Sequence, residues 1–228
     1  MYNKVFSLTA ALIFVASFSF AQKGFHAGAN FGVNAVGLYD YPKGGDIDGY
    51  KYETKLGSTF GLAGGYNFND HWGANIEVND ANLGSYYKFH MDGQPDYTQD
   101  IDLNYVQIPV MVKFSGGNYR SRFSSMLGPQ FSILTSAEMN KSRDISSSFK
   151  SNDFGILLTS GGDITLVEDL YLNAEIRLYY GFTSINSNPY AIFNPELGTE
   201  KLHSMYGGVN IGLHYLFRDP SLRPQRAY

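Results

Sequence analysis

The chain has 228 residues, no cysteine, and 17 basic against 21 acidic residues, for a net charge of −4. This length suits one domain, the absence of cysteine excludes disulfides and thiolate metal sites, and the acidic balance excludes the basic surface that nucleic-acid binding requires. Aromatic residues make up 16% of the chain and 25 residues are glycine, which fits strands with aromatic girdles at the membrane interfaces.

Residues 1–21 have the pattern of a secretory signal peptide. Lys4 precedes an uncharged apolar run, and Ser19 and Ala21 are small residues at the two positions that signal peptidase reads. We therefore predict cleavage after Ala21. The alternative is an N-terminal transmembrane helix, because the run nearly reaches spanning length, but the small residues before Gln22 favour cleavage.

Eight later segments alternate apolar residues with polar or small ones, which is the period of a β-strand with two different faces. The last of them places Val209, Ile211 and Leu213 on one face, and His214 among the polar and small residues of the other. The eight segments cover residues 25–34, 57–68, 72–89, 104–114, 122–133, 153–166, 170–182 and 206–217.

Two of these segments contain irregularities. In the third, the alternation of apolar residues changes phase near residues 80–82, so that Leu83, Ser85, Tyr87 and Phe89 continue on the opposite parity. A β-bulge or the membrane boundary would account for this. In the fourth, Pro109 lacks the amide hydrogen that a sheet requires, and we expect a β-bulge there.

The gaps between the segments run long, short, long, short along the chain. A closed barrel in a bilayer needs only lipid outside and a polar interior, and such barrels have short periplasmic turns and long external loops. We predict an all-β, membrane-spanning, antiparallel up-and-down β-barrel of eight strands over residues 22–217, followed by a short periplasmic tail, residues 218–228. The predicted location is the outer membrane of a Gram-negative bacterium, with both termini periplasmic.

The inward faces of the predicted strands carry several charged side chains. Because the interior of an eight-stranded barrel is only wide enough for side chains, these charges must pair. We predict a structural ion-pair network inside the barrel, and the alternative is a gated conduit or a proton-sensitive switch. The network comprises Glu77, Lys113, Arg122, Asp163, Glu175 and Arg177. A periplasmic aromatic girdle is predicted at Phe68, Trp72, Phe114, Phe123, Tyr171 and Phe217.

Other constellations support no catalytic, cofactor or metal site. His26 and His214 face inward on neighbouring strands but have no third ligand at suitable spacing, so hydrogen bonding between the strands is favoured over metal binding. The Asp46–Gly49 segment resembles a fragment of a calcium loop but lacks an acidic position, which favours a solvated loop. His203 and Ser204 are adjacent and point to opposite faces, so we predict no enzyme.

Four segments have a familiar pattern: NYVQIPVMVKF at 104–114, SSMLGPQFSIL at 124–134, DFGILLTSGGDI at 153–164 and EIRLYYGFTSIN at 175–186. They resemble the PorT-like outer-membrane β-barrel family of Bacteroidota over most of the mature chain. The named member of that family acts in type IX secretion and gliding. The resemblance therefore implies a role in envelope assembly or protein secretion, and the family pattern provides no catalytic residues to transfer.

The sequence favours a non-enzymatic barrel that is a structural or accessory subunit of an envelope complex. Its expected partners are outer-membrane lipid, lipopolysaccharide and other outer-membrane proteins, with no nucleic acid and no cofactor. Two alternatives remain open, namely a narrow pore or small-ligand carrier, and a binding protein that uses its external loops at residues 40–54 and 186–202.

Overall fold

The computed structural model describes residues 23–41, 46–47, 50–89, 97–118, 120–187 and 201–218. Its eight long strands are β1 (Gly24–Tyr41), β2 (Tyr50–Asn67), β3 (Trp72–Phe89), β4 (Tyr97–Gly117), β5 (Ser121–Met139), β6 (Asn152–Val167), β7 (Leu170–Gly181) and β8 (Lys201–Arg218). Two short strands, Asp46–Ile47 and Arg143–Asp144, pair with β2 and β5. The predicted signal peptide and residues 219–228 of the predicted tail lie outside the described residues.

The only helical element of the described residues is the 3-10 turn Ser146–Ser148. No helix in that part of the chain is long and apolar enough to cross a membrane.

The eight strands close into a ring. Each strand pairs antiparallel with the next along the chain, and β8 pairs with β1 over their whole length. Paired residues can be followed once around the ring from Phe25 to Ala35, ten residues further along β1, through Tyr66, Ala74, Val112, Leu127, Leu158, Leu178 and Gly207. Such a stagger tilts the strands by about 35–45° and leaves an interior filled by side chains. The predicted eight-stranded antiparallel barrel is confirmed.

Burial alternates along every strand, as the sequence pattern predicts. In β7, for example, Ile176 and Leu178 are exposed, whereas Glu175 and Arg177 are buried. Large apolar side chains cover the outward faces of all eight strands as one continuous band, which includes Phe31, Leu62, Ile76, Val110, Leu127, Leu158, Ile176 and Val209. This band is the surface that a bilayer covers.

The two ends of the barrel differ. Connections of a few residues, at 68–71, 118–120 and 168–169, join the strands at the end where β1 starts and β8 ends, and we call this the turn end. The opposite end, which we call the loop end, has the longer connections. Five strands, β1, β2, β4, β5 and β8, are at least six residues longer than the sequence predicts, mainly because they continue past the apolar band toward the loop end; β4 spans 21 residues.

Of the two explanations for the change of phase in β3, the bulge on β3 is wrong, whereas the end of the apolar band at this level agrees with the membrane boundary. Ala81, Leu83 and Ser85 continue on the inward face, and Leu83 is only 4% exposed. The alternation of inward and outward residues along β3 is unbroken. The side chains that fill the interior change from polar to apolar at this level. An extra residue does occur, but on β2, where the register with β3 shifts between Thr54 and Ser58.

The bulge predicted at Pro109 is also wrong. On one side, β4 pairs with β3 as Val110 with Ile76 and Gln107 with Asn79, which is one unbroken register. On the other side, Pro109 is paired with Gln130 of β5. The missing amide hydrogen of Pro109 therefore interrupts the hydrogen bonding between strands, but β4 contains no extra residue at this point.

Candidate functional site: the barrel interior

The interior of the barrel is filled by three successive groups of side chains. The charged group, toward the turn end, contains Glu77, Lys113, Asp163, Glu175 and Arg177. The polar group, in the middle, contains Gln107, Gln130, Asp153, Tyr179 and Tyr206. The apolar group, at the loop end, includes Val36, Leu38, Leu83, Ile101, Leu103, Ala137 and Leu202.

Arg177 is the centre of the charged group. Its Nη1 and Nη2 atoms donate to the two oxygens of Glu77 at 2.8 and 3.0 Å, in the bidentate arrangement that is the strongest geometry for this pair. Its Nε atom also donates to Glu175 Oε1 at 2.7 Å. All three side chains are at most 5% exposed. One guanidinium thus neutralises carboxylates from β3 and β7, on opposite walls of the barrel.

Amide side chains complete the environment of Glu77. Asn75 donates to Oε1 at 3.1 Å, and Asn79 donates to Oε2 at 3.0 Å, both from the same inward face of β3. Asn30 of β1 approaches Oε2 at 3.4 Å. A buried carboxylate is tolerated when its oxygens accept several hydrogen bonds, and this one accepts them from three asparagines and Arg177.

A second ion pair lies closer to the turn end. Lys113 Nζ is 3.0 Å from Asp163 Oδ2, and Asn173 donates to Asp163 Oδ1 at 2.7 Å. The structure therefore brings together five of the six charged residues that the sequence places inside the barrel. Arg122 forms no ion pair within the described residues; its guanidinium donates to the backbone carbonyl of Asp70 and to Ser115 Oγ. Arg122 therefore contacts the turn at Asp70, at the edge of the network, and its sheet partner on β6 is Asp163.

An aromatic cluster adjoins the Lys113–Asp163 pair. The rings of His214 and Tyr171 stack with centroids 5.2 Å apart, and His26 lies 6.0 Å from His214. Within the described residues no group of three His, Asp or Glu side chains is arranged to hold a metal ion. The interaction that the sequence suggests between the two histidines is a ring contact, since His26 makes no hydrogen bond through either ring nitrogen.

Tyr171 does not belong to the predicted aromatic girdle. Its position in β7 is on the inward parity, and its ring lies against His214 inside the barrel. The other five predicted members, Phe68, Trp72, Phe114, Phe123 and Phe217, are exposed on the outer surface at the turn end. Tyr66 and Tyr215 are outward tyrosines in this region, with rings 5.7 and 4.9 Å from those of Phe68 and Phe217.

Asp153 is a buried carboxylate of the polar group that the predicted network omits. It accepts hydrogen bonds from the Tyr179 hydroxyl at 2.9 Å, from Thr183 at 2.6 Å, and from Ser204. The rings of Tyr179 and Tyr206 stack at 5.0 Å. Among the described residues, the side-chain donors to Asp153 are all hydroxyl groups, so that hydrogen bonds and no ion pair hold it there.

Residues outside the long strands close the apolar group at the loop end. Ile145, Phe149 and Ile185 are buried together with the inward side chains of the strands. The segment that follows β7 also hydrogen bonds to β8, which pairs with β7 only from Met205 onward. Ile185 donates its amide to the carbonyl of Leu202 at 2.8 Å.

A tight hairpin after β5 precedes Ile145 in the chain. Asn140 and Lys141 have φ values of 51° and 56°, the left-handed pair of a type I′ turn, which is closed by the Ser142 amide donating to the Met139 carbonyl at 3.2 Å. Asn140 is also hydrogen bonded to the backbone of Asp100 in both directions. Hydrogen bonds from the Ser146 hydroxyl and amide lower the pKa of Asp144 just after the turn.

Two small cavities lie beside the ion pairs in the part of the interior that the described residues form. A cavity of about 30 Å³ opens at the turn end beside Lys113, Arg122 and Asp163. A second cavity of about 10 Å³ lies deeper, between His26, His214 and the ion pairs. Cavities of this size hold one or two water molecules. The interior can therefore hydrate its charges from the turn end, and side chains fill the space toward the loop end.

Glycines make room for these large inward side chains, and Gly61 of β2 is the tightest case. A Cβ atom at this position would lie 2.6 Å from the Val78 carbonyl oxygen and would collide with the Asn79 amide. We expect Gly61→Ala to lower the free energy of unfolding by about 1–3 kcal/mol, the typical cost of overpacking. Urea unfolding in lipid bilayers measures this change. Gly37→Ala is the matched control, because nothing lies within 4 Å of its added Cβ, and equal losses in the two variants would contradict the packing role.

His203 and Ser204 are separated by the wall of the barrel. Ser204 is buried and donates to Asp153, whereas His203 Nδ1 is 3.2 Å from the Gly181 carbonyl oxygen. Since the two side chains lie on opposite faces of β8, the histidine has no access to the serine hydroxyl. The predicted calcium-like segment, residues 46–49, lies partly outside the described residues.

Comparison with known proteins indicates a broad protein family for this chain. Residues 20–187 match a family model described as outer membrane protein beta-barrel domain. OprG from Pseudomonas aeruginosa has a similar structure, with a TM-score of 0.55 and 19% identity over 87% of this chain and 98% of that chain. At this identity the similarity concerns the fold alone.

Two further solved structures align with lower scores. Neisserial surface protein A has a TM-score of 0.48 at 17% identity, over 85% of this chain and 97% of that chain. Ail of Yersinia pestis, in complex with the heparin analogue sucrose octasulfate, has a TM-score of 0.44 at 12% identity, over 84% and 99%. No curated protein matches the sequence.

Proposed function

The chain belongs to the outer membrane protein beta-barrel domain family, and on this basis we propose that it is a non-enzymatic structural or accessory subunit of an envelope complex. Membership of the family makes it an integral protein of the outer membrane. The observation that carries the proposal is the filled interior, in which paired charges and apolar side chains occupy the space that a channel or an active site would need. Partners then have to bind to the outer wall or to the ends of the barrel.

Short turns on one side of the membrane support an orientation for the chain. In outer-membrane barrels the short turns are periplasmic and the long loops are external. Both ends of the strand series, Gly24 and Arg218, lie at the turn end. We propose that this end faces the periplasm, with both termini on that side.

We also propose a more specific assignment, to the PorT-like family of Bacteroidota, from the four sequence segments described above. A role as an accessory in protein secretion or gliding follows from that resemblance. The family model is coarser than this assignment and is compatible with it. The lack of any catalytic arrangement around His203 and Ser204 supports a role without chemistry.

Cross-linking in native envelopes tests the proposed role. We expect the cross-linked and gently extracted protein to be recovered with other outer-membrane proteins, because a filled barrel acts through its surfaces. Mass spectrometry of the cross-linked species identifies the partners. Recovery of monomers alone, from cells that express the protein from its native locus, would contradict a subunit role.

A narrow pore or small-ligand carrier is the alternative function. It requires a continuous polar path, whereas the apolar group lies between the charged group and the loop end. We expect purified protein in planar bilayers to give no steady conductance, either as wild type or as Glu175→Ala. Stable single-channel steps that change size in the Glu175→Ala variant would favour the pore. Binding by the external loops stays a prediction, since much of 40–54 and 186–202 lies outside the described residues.

A further inference from the structure

A polar cleft of about 440 Å³ opens on the outer wall of the barrel near the loop end. It is lined by side chains of β2 to β5 and of the hairpin that follows β5, namely Lys55, Asn82, Tyr86, Asp100, Asp102, Asn104, Glu138 and Lys141. The lining residues of β3 and β4 alternate with the buried Leu83, Ile101 and Leu103. The cleft is therefore on the opposite face from the apolar group, and faces away from the barrel axis.

The floor of the cleft is a row of hydrogen-bonded amides. Asn82 donates to Asn104 Oδ1 at 2.7 Å, and Asn104 donates to Ser136 Oγ at 2.9 Å. This row crosses three strands at one level, because Asn82 pairs with Asn104 and Asn104 pairs with Ser136 in the sheet. Each amide keeps further donor and acceptor capacity, since an asparagine side chain has two N–H groups and two lone pairs.

The charges of the cleft are largely neutralised within it. Lys55 Nζ contacts the carboxylates of both Asp100 and Asp102, and it lies 5.5 Å from the centre of the Tyr86 ring. Glu138 and Lys141 add one charge of each sign. The lining residues together have three carboxylates and two ammonium groups, so the cleft has no excess of positive charge to attract an anion such as phosphate.

A cation is a poor fit for the same cleft. The two carboxylates nearest each other already share the Lys55 ammonium group. Within the described residues no group of three potential ligands is arranged for a metal. A neutral ligand rich in hydroxyl groups fits best, because amides both donate hydrogen bonds to hydroxyls and accept them, and carboxylates accept them. The nearby tyrosine offers an aromatic surface to the apolar face of a sugar ring.

The position of the cleft points to the source of that ligand. On β5 the outward apolar residues continue up to Ile133, which pairs with Val106, and Asn104 is two residues beyond Val106 toward the loop end. The cleft thus begins at the edge of the apolar band. On β3, polar side chains reach further into the band, with Asp80 exposed between Phe60 and Val106. With the loop end facing outward, as proposed above, the sugars of outer-leaflet lipopolysaccharide lie at and beyond this level, with the phosphorylated sugars nearest the hydrocarbon and the core sugars further out.

We propose that this cleft binds uncharged core sugars of lipopolysaccharide, rather than its phosphorylated part, through the amide groups of Asn82 and Asn104 and the ring of Tyr86. The site requires the loop end to face outward, and it is otherwise independent of the proposed role as a subunit. It goes beyond general contact with lipid, because it assigns one position on the wall and one chemical class of ligand.

Titration of the purified full-length barrel with rough-type lipopolysaccharide in detergent, followed by native mass spectrometry, tests the site. We expect one molecule to bind more tightly than the rest. Asn104→Ala and Tyr86→Leu should each weaken this binding about fivefold, which corresponds to the loss of roughly one hydrogen bond or ring contact. Two variants are used because either one alone could disturb the local sheet, and heat modifiability on gels checks that both are folded.

Asn152→Ala is the matched control, since Asn152 is an exposed asparagine at the start of β6 outside the cleft. Its affinity should equal that of the wild type, and free core oligosaccharide should compete for the site. Unchanged affinity in both folded cleft variants would overturn the proposal. So would displacement of lipopolysaccharide by EDTA or inorganic phosphate without competition by the oligosaccharide, because binding would then depend on a cation or a phosphate.

Discussion

Replacement of Arg177 by methionine is expected to lower the free energy of unfolding by about 3–5 kcal/mol, the cost of breaking a buried ion pair. Glu77 and Glu175 would then lie inside the barrel without their paired cation, since Lys113, the other cation of the charged group, pairs with Asp163. Urea-induced unfolding of the barrel in lipid bilayers, followed by gel mobility and fluorescence, measures the loss.

Two comparisons separate the contribution of the ion pairs to stability from the other effects of the substitution. Arg120→Met is the matched control, because Arg120 is exposed in the turn before β5, and we expect a change within about 0.5 kcal/mol. Adding Glu77→Gln and Glu175→Gln to Arg177→Met should restore much of the stability, since the uncompensated carboxylates disappear. If Arg177→Met is no more destabilising than Arg120→Met, the ion pairs contribute no net stability.

Ile176→Arg should also be strongly destabilising, by about 2–4 kcal/mol. Ile176 is 59% exposed on the outward face of β7, next to Arg177 in sequence, and it lies near the middle of the apolar band. Introduction of a guanidinium there places a charge in the hydrocarbon core. The measurement is the same unfolding experiment, together with the yield of folded barrel after refolding into vesicles.

Ile176→Leu is the control that retains an apolar side chain, and we expect it to cost less than about 1.5 kcal/mol. Comparison of Ile176→Arg in detergent and in lipid separates the membrane contribution from local packing, because a micelle adapts to a charge more easily than a bilayer. A similar loss in Ile176→Arg and Ile176→Leu would contradict the assignment of this face to lipid.

Much of the fold follows from the alternation of side chains, since a period of two residues assigns each position to a face once one position is fixed. Glu77, Lys113, Asp163, Glu175 and Arg177 are therefore found inside by parity alone. The same rule applied consistently to β7 places Tyr171 inside, although its aromatic character and its closeness to a turn suggested the girdle.

The apolar group at the loop end was not predictable in the same way. The pattern assumes a polar interior along the whole barrel, so an apolar Leu83 on the inward parity is read as a change of phase. Only long-range pairing shows that Leu83 meets Leu103 across strands whose other face is polar. The contact that Arg122 makes was not predictable from the sequence either, because its partner is the backbone carbonyl of Asp70, in a turn that is distant in sequence.

β7 ends at Gly181, so the first residues of β8 have no long strand beside them on that side, in the part of the barrel that projects beyond the apolar band. A strand with unpaired N–H and C=O groups is a template for joining the sheet of another protein. At Leu202 this hazard is removed within the chain, because Ile185 and Asn186 occupy its backbone groups in place of a further strand. This contact protects the wall above the lipid from edge-to-edge aggregation with other proteins in a crowded membrane.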